Sequence, residues 1–197
     1  MANVISENYG IKHYLTKNNF DKNADMNLVN NLIESLEKEI ESNYIKHSAV
    51  KHYKDNYDFI PPFVLTKIIT LGDTSRYYGL LKQQDRQKIS KYFKISDKLL
   101  KQILINLTLV RNISAHSDRL FCYRSKFYIS FKNIEPEYQN YSKFTNLYMI
   151  MECMKILLDD EKIKEFEDLF DLEVKNLKNQ LQSIKIEDIL KIMGFNE

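Results

Sequence analysis

Apolar residues recur along this chain at helical rather than strand spacing. Between Asn27 and Glu41, Leu28, Leu32, Ile33, Leu36 and Ile40 share one face of a 3.6-residue repeat, which predicts an amphipathic helix. Pro61-Pro62 predicts that another helix starts at 63 and runs to about 70, because the first helical turn does not need the N–H that proline lacks. Gly72 and the polar Asp73-Thr74-Ser75 predict a break or bend there. A shorter helix is expected over Asp85 to Phe93. Ser96 is the expected N-cap of the longest segment, Asp97 to about Ala115. On its helical wheel Leu100, Ile103, Leu104, Leu107 and Arg111 form one stripe, and Ile105, Leu109, Asn112 and His116 a second, rotated by roughly 140°. From Ile103 to Val110 only Asn106 and Thr108 are polar, so this helix is expected at the centre of a bundle.

Downstream the pattern changes once and then returns. Residues Phe121 to Phe131 alternate aromatic and β-branched side chains, which predicts a short strand pair turning at Ser125-Lys126. Thr145 to Leu158 is strongly apolar and helical in spacing. Glu161 to Leu181 places Ile163, Phe166, Phe170, Val174, Leu177 and Leu181 at steps of three and four, and a last helix, Ile186 to Met193, stops at Gly194. No repeat, low-complexity linker or boundary interrupts the chain. Residues 1–197 therefore read as a single all-α domain with a short β-hairpin near 121–131.

Composition narrows the class. Hydrophobic residues at 44% and charged ones at 28% exclude a disordered or fibrous chain, and four Gly with three Pro leave little material for tight turns. Cys122 and Cys153 form no CxxC pair, which fits a reducing compartment and argues against a zinc site. The most apolar stretch, Phe63 to Leu71, is interrupted by Lys67 and is too short to span a bilayer. The N-terminus lacks a basic segment followed by an apolar one, so a cytoplasmic location is expected. Charge is unevenly placed: from Lys82 to Asn133 twelve lysines and arginines face three aspartates, whereas from Ile134 onward eight lysines face fourteen acids. A basic middle of this kind fits a polyanionic partner, and it equally fits a solvated lysine-rich face.

Candidate chemistry gathers at the end of the apolar helix, where Arg111, Asn112 and His116 follow Leu109-Val110. An imidazole can take a proton from a ribose 2′-hydroxyl near neutral pH, and a guanidinium can hold a phosphate through two N–H groups as charge builds on its oxygens. Asn112 would orient the imidazole. Five residues of helix separate the pair by about 7.5 Å along the axis, so convergence on one phosphate requires an unwound helix end or a second copy across a two-fold axis. The plainer alternative is that Arg111 caps carbonyls or pairs with an acid and His116 is a packed histidine. His13, His47 and His52 have no matching arginine and read as surface or packing residues. The methionines Met149, Met151 and Met154 read as core. Aromatic residues of 121–131, interleaved with Arg124 and Lys126, could stack bases or merely pack.

The block Leu109-x-Arg111-Asn112-x-x-Ala115-His116-x-x-Arg119-Leu120 resembles the signature of the abortive-infection (Abi-like) proteins of the HEPN superfamily of helical ribonucleases. Lys51-His52-Tyr53 through Pro61-Pro62-Phe63-Val64-Leu65, then Leu71-Gly72-Asp73-Thr74-Ser75-Arg76-Tyr77-Tyr78, resembles the middle of the same family, and Ile186 to Phe195 its C-terminal end. Tyr9-Gly10-x-x-x-Tyr14-Leu15 resembles an internal point of that pattern, so the given sequence is expected to enter it part-way, without the family's upstream N-terminal helices, and Ser114 stands where many relatives have Cys. The resemblance implies a HEPN-type helical bundle acting as a homodimer. Its catalytic residues would be Arg111 and His116 with Asn112 in support, cleaving RNA without a metal or other cofactor to a 2′,3′-cyclic phosphate. It also implies a role in phage defence or toxin–antitoxin control, with an RNA or protein antitoxin as partner.

The expectation is thus a metal-independent endoribonuclease in which Arg119, Arg124 and Lys126 contact the RNA backbone. The alternative is a catalytically silent HEPN module that binds RNA or pairs with another protein.

Overall fold

The computed structural model describes residues 1–130 and 144–195. They form ten α-helices and, among the described residues, no sheet. The chain divides into two compact units, Met1–Leu104 and Ile105–Glu197, the division falling inside one helix.

The first unit contains α1 (Ala2–Tyr9), α2 (Met26–Ser42), α3 (Ser48–Tyr57), α4 (Pro62–Ile68), α5 (Leu71–Leu80), α6 (Gln83–Lys91) and the start of α7 (Asp97–Ala115). The Asp25 carboxylate caps α2 by accepting from Asn27 N at 2.8 Å. Its buried face is Val29, Leu32, Leu36 and Ile40, whereas Leu28 is exposed, so the apolar stripe is turned slightly from the predicted one. Each such side chain, fully buried, contributes about 1.5–3 kcal/mol relative to exposure. Helix α4 begins at Pro62 with Pro61 as its N-cap, as the proline pair predicts.

The predicted break at 72–75 is instead the start of α5. Thr70 Oγ1 accepts from Asp73 N at 3.0 Å while Thr70 N donates to Asp73 Oδ2 at 3.2 Å, a reciprocal capping box that satisfies two orphan amides. Burial opposes ionisation of Asp73, but hydrogen bonds from Thr70 and from the Arg76 guanidinium outweigh it and hold the carboxyl below its ordinary range. A second buried carboxylate, Asp85, ties α6 to α1 through Asn8 Nδ2 at 2.6 Å and the Tyr9 hydroxyl. Burial, followed by the bond to Asp85, raises the Tyr9 phenol, so it stays a donor. Arg86 joins Asp21 at 3.7 Å to Asp97 at 3.4 Å, anchoring the first turn of α7. Ser96 Oγ accepts from Leu99 N at 3.2 Å and is the cap that the sequence predicts.

The second unit holds the rest of α7, the segment 116–130, α8 (Leu147–Leu157), α9 (Asp160–Gln180) and α10 (Ile186–Met193). Helix α8 buries Leu147, Met149, Ile150, Met151 and Cys153, and the burial pushes the Cys153 thiol up to about 12. Phe195 stacks on Phe170 with ring centres 5.2 Å apart and meets Tyr148 edge-on at 4.9 Å, joining α8, α9 and the end of α10. Gly194 ends α10 at φ +105°, where an added Cβ would lie 2.2 Å from Asn146 Nδ2. That side chain caps α8 by accepting from Met149 N at 2.9 Å.

Two expectations change here. Burial along α7 is limited to Asp97, Leu99, Leu100, Ile103 and Asn106; Leu104, Ile105 and Leu107 to Val110 are half-buried. The hairpin expected near 121–131 is absent over its described residues: Ser125 instead forms an isolated antiparallel bridge with Thr145, each N–H donating to the other's carbonyl at 2.9 Å. Residue 131 lies outside the described residues. No helix among the described residues is long and apolar enough to cross a membrane.

Candidate functional site

The C-terminus of α7 presents its polar residues to solvent. Arg111, Asn112, Ser114 and His116 are all exposed, so neither member of the expected pair is packed into a core. Arg111 Nη1 donates to Asn112 Oδ1 at 3.3 Å. Asn112 therefore orients the guanidinium, whereas the sequence pattern predicts it beside the imidazole. His116 keeps the helical register, its N–H reaching the carbonyls of Asn112 and Ile113 at 3.2 Å. The next residue stops the helix: Ser117 adopts φ +56°, its N–H returns to Ser114 O at 3.2 Å, and Asp118 N returns to Ile113 O at 3.1 Å. This is a Schellman closure with serine in the left-handed position that glycine usually fills. The helix thus does not unwind before His116, and in one copy Arg111 and His116 remain about 7.5 Å apart along the axis.

Beyond the cap the chain folds back on α7 and builds a groove of about 520 Å³. Helix α7 lines it with Leu109 and Ile113, on a face roughly 160° around the helix from Arg111. Arg119, Arg124 and Lys126, the three expected RNA contacts, all line it, as do Tyr123, Phe127 and Phe144. The polar residue isolated in the apolar helix explains how this loop is held. Asn106, fully buried, donates Nδ2 to Phe127 O at 2.8 Å and accepts from the Tyr123 hydroxyl at 3.0 Å. Burial raises the Tyr123 phenol, although a bond with Ser125 works the other way, so the phenol keeps its proton for Asn106. Thr145 Oγ1 gives Phe127 O a second hydrogen bond at 3.1 Å.

The three cations differ in their contacts. Arg124 donates to Tyr123 O and to Ile192 O, each at 2.7 Å, bracing the loop against the last turn of α10, where a positive charge is favourable. Lys126 Nζ lies over the Phe127 ring at 6.0 Å from its centre. Arg119 is exposed on the rim. Asn106 had a sequence signal, as a lone amide in an apolar run; Phe144 had none, because residues far along the chain supply this wall. Among the described residues no group of three or more His, Cys, Asp or Glu side chains is placed to hold a metal.

Fold and site together define a helical protein with an exposed Arg-Asn-x3-His helix end beside a basic, aromatic-lined groove. The chain belongs to the Abi-like protein family, whose model matches residues 1–122. The match contains Arg111, Asn112, His116 and Arg119 and stops short of Arg124, Lys126 and α10. No curated protein matches the chain, and no solved structure does.

Proposed function

We propose that this protein is a metal-independent endoribonuclease of the abortive-infection type, serving phage defence or a toxin–antitoxin pair, with Arg111 and His116 as its catalytic pair. The observation that carries the reading is the solvent-exposed Arg111-Asn112-x3-His116 helix end in a chain of this family. The imidazole of His116 takes the 2′-hydroxyl proton; the 2′-oxygen attacks the adjacent phosphorus; the bond from phosphorus to the 5′-oxygen breaks, and that oxygen leaves with a proton returned by an imidazolium. Arg111, steadied by Asn112, neutralises charge on the non-bridging oxygens. The products are a 2′,3′-cyclic phosphate and a free 5′-hydroxyl.

Because one helix spreads the pair over about 7.5 Å and different faces, the composite site is built by a homodimer. The half-buried Leu107 and Val110, outside the lining of the groove, supply apolar surface beside Arg111 for that contact. An RNA or protein antitoxin would act by covering the same helix end.

Incubation of the full chain with single-stranded RNA and EDTA between about pH 6 and pH 8 tests the reading. Cleavage with cyclic-phosphate ends, lost in Arg111→Ala and in His116→Ala, is the expected result. Intact RNA at every pH, with salt-sensitive binding that survives both substitutions, would instead identify a silent RNA-binding module.

A further inference from the structure

Resting on the reading that this chain acts on RNA, we propose that the groove of the second unit is a stacking site for unpaired bases, with Phe127 as its central platform. The backbone at this residue is held from three sides. Phe127 O accepts from Asn106 and from Thr145, and Phe127 N donates to Ser125 Oγ at 3.1 Å. Yet the ring so firmly placed is 42% exposed, and Phe144, which lines the same groove, is 48% exposed. Packing does not account for an aromatic ring that is pinned by its backbone, touched on one face by the Lys126 ammonium and still 42% exposed. A preorganised face awaiting a planar ligand does, because the cost of ordering it has been met before binding.

Charge identifies the ligand. Between Ile105 and Ser130 the cations Arg111, Arg119, Arg124 and Lys126 face a single acid, Asp118. Arg124 is committed to carbonyls, which leaves Arg119 and Lys126 on the walls to meet phosphates. Alternation of aromatic faces with cations matches a strand whose bases are splayed out along a charged backbone. A volume of about 520 Å³ lies within the usual range for small-ligand sites, about 300–1,000 Å³, so the groove has room for bases. Bases reach a ring face only when they are unpaired, so the site selects single-stranded RNA.

Fluorescence anisotropy of the full chain carrying His116→Ala, titrated into a labelled twelve-nucleotide oligouridylate and a labelled RNA duplex of equal length at fixed salt, tests this. The single strand is expected to bind at least about tenfold more tightly than the duplex. Phe127→Ala should weaken strand binding about tenfold while Phe127→Tyr retains it. Lys126→Ala should reduce the slope of log affinity against log salt by about 0.7. Equal affinity for strand and duplex, an unchanged affinity in Phe127→Ala with an unchanged melting temperature, or no binding of the oligouridylate would each overturn the proposal. Cleavage is scored separately in the parent chain. RNA left uncut with the Phe127 effect intact removes the nuclease reading and keeps the stacking site; RNA cut with Phe127→Ala binding normally does the reverse.

Discussion

The Tyr123 hydroxyl donates to Asn106 Oδ1 at 3.0 Å, deep under the groove, and the same amide gives its Nδ2 hydrogen to the carbonyl of Phe127 at 2.8 Å. One buried side chain on α7 thereby sets the course of a loop seventeen to twenty-one residues further on.

Asn106→Ala should cost about 2 kcal/mol or more, because it removes two hydrogen bonds and leaves buried partners without them. Urea unfolding measures the loss. If the loop is held as described, RNA affinity falls as well, although Asn106 touches no ligand; a stability loss with unaltered affinity would show that the loop keeps its shape by other means.

Gly194 and Asn146 make a second sharp case. Alanine at 194 would place its Cβ against the cap of α8 and would have to hold φ +105°, so Gly194→Ala is expected to destabilise by about 1–3 kcal/mol. In a double-mutant cycle with Asn146→Gly the two losses should be less than additive, since the second substitution removes the group that is struck.

Acid should act through Asp73. Its carboxyl is held below the ordinary range despite burial, so its contribution is complete above that range and disappears as pH falls through the lowered value. The difference in unfolding free energy between the parent and Asp73→Asn should be constant near neutrality and shrink toward zero in strong acid. A difference that is the same at pH 2 and pH 6 would contradict the assignment.

Ser117→Gly should stabilise the protein by about 1 kcal/mol, since serine occupies a left-handed position that favours glycine. A thermal melt shifted upward by a few degrees is the expected reading.

Most helices were readable from spacing and punctuation. Ser96 announced α7, the proline pair announced α4, and the three-and-four spacing announced α9, because each signal is local. The start of α5 was missed for a physical reason: Gly72-Asp73-Thr74-Ser75 has turn-forming composition, and the outcome is decided by Thr70 and Asp73 completing each other's hydrogen bonds. The 121–131 segment has strand-like alternation, but the acceptor at Phe127 is taken by an asparagine twenty-one residues earlier, which no local pattern contains. The candidate pair was readable by residue type. What periodicity could not reveal is that the end of α7 lies open to solvent, since burial depends on what the rest of the chain brings to each face. Arg124 shows the same limit, its guanidinium being bound to a carbonyl sixty-eight residues away.

That last contact has a practical consequence. The family match covers residues 1–122, whereas the loop carrying Phe127 is propped from Ile192. Trimming the protein to the shared stretch would retain Arg111 and His116 and discard the strut that keeps the neighbouring wall upright. Any effort to excise a smaller working piece, or to graft this helix tip onto another scaffold, must bring the last turn of α10 with it.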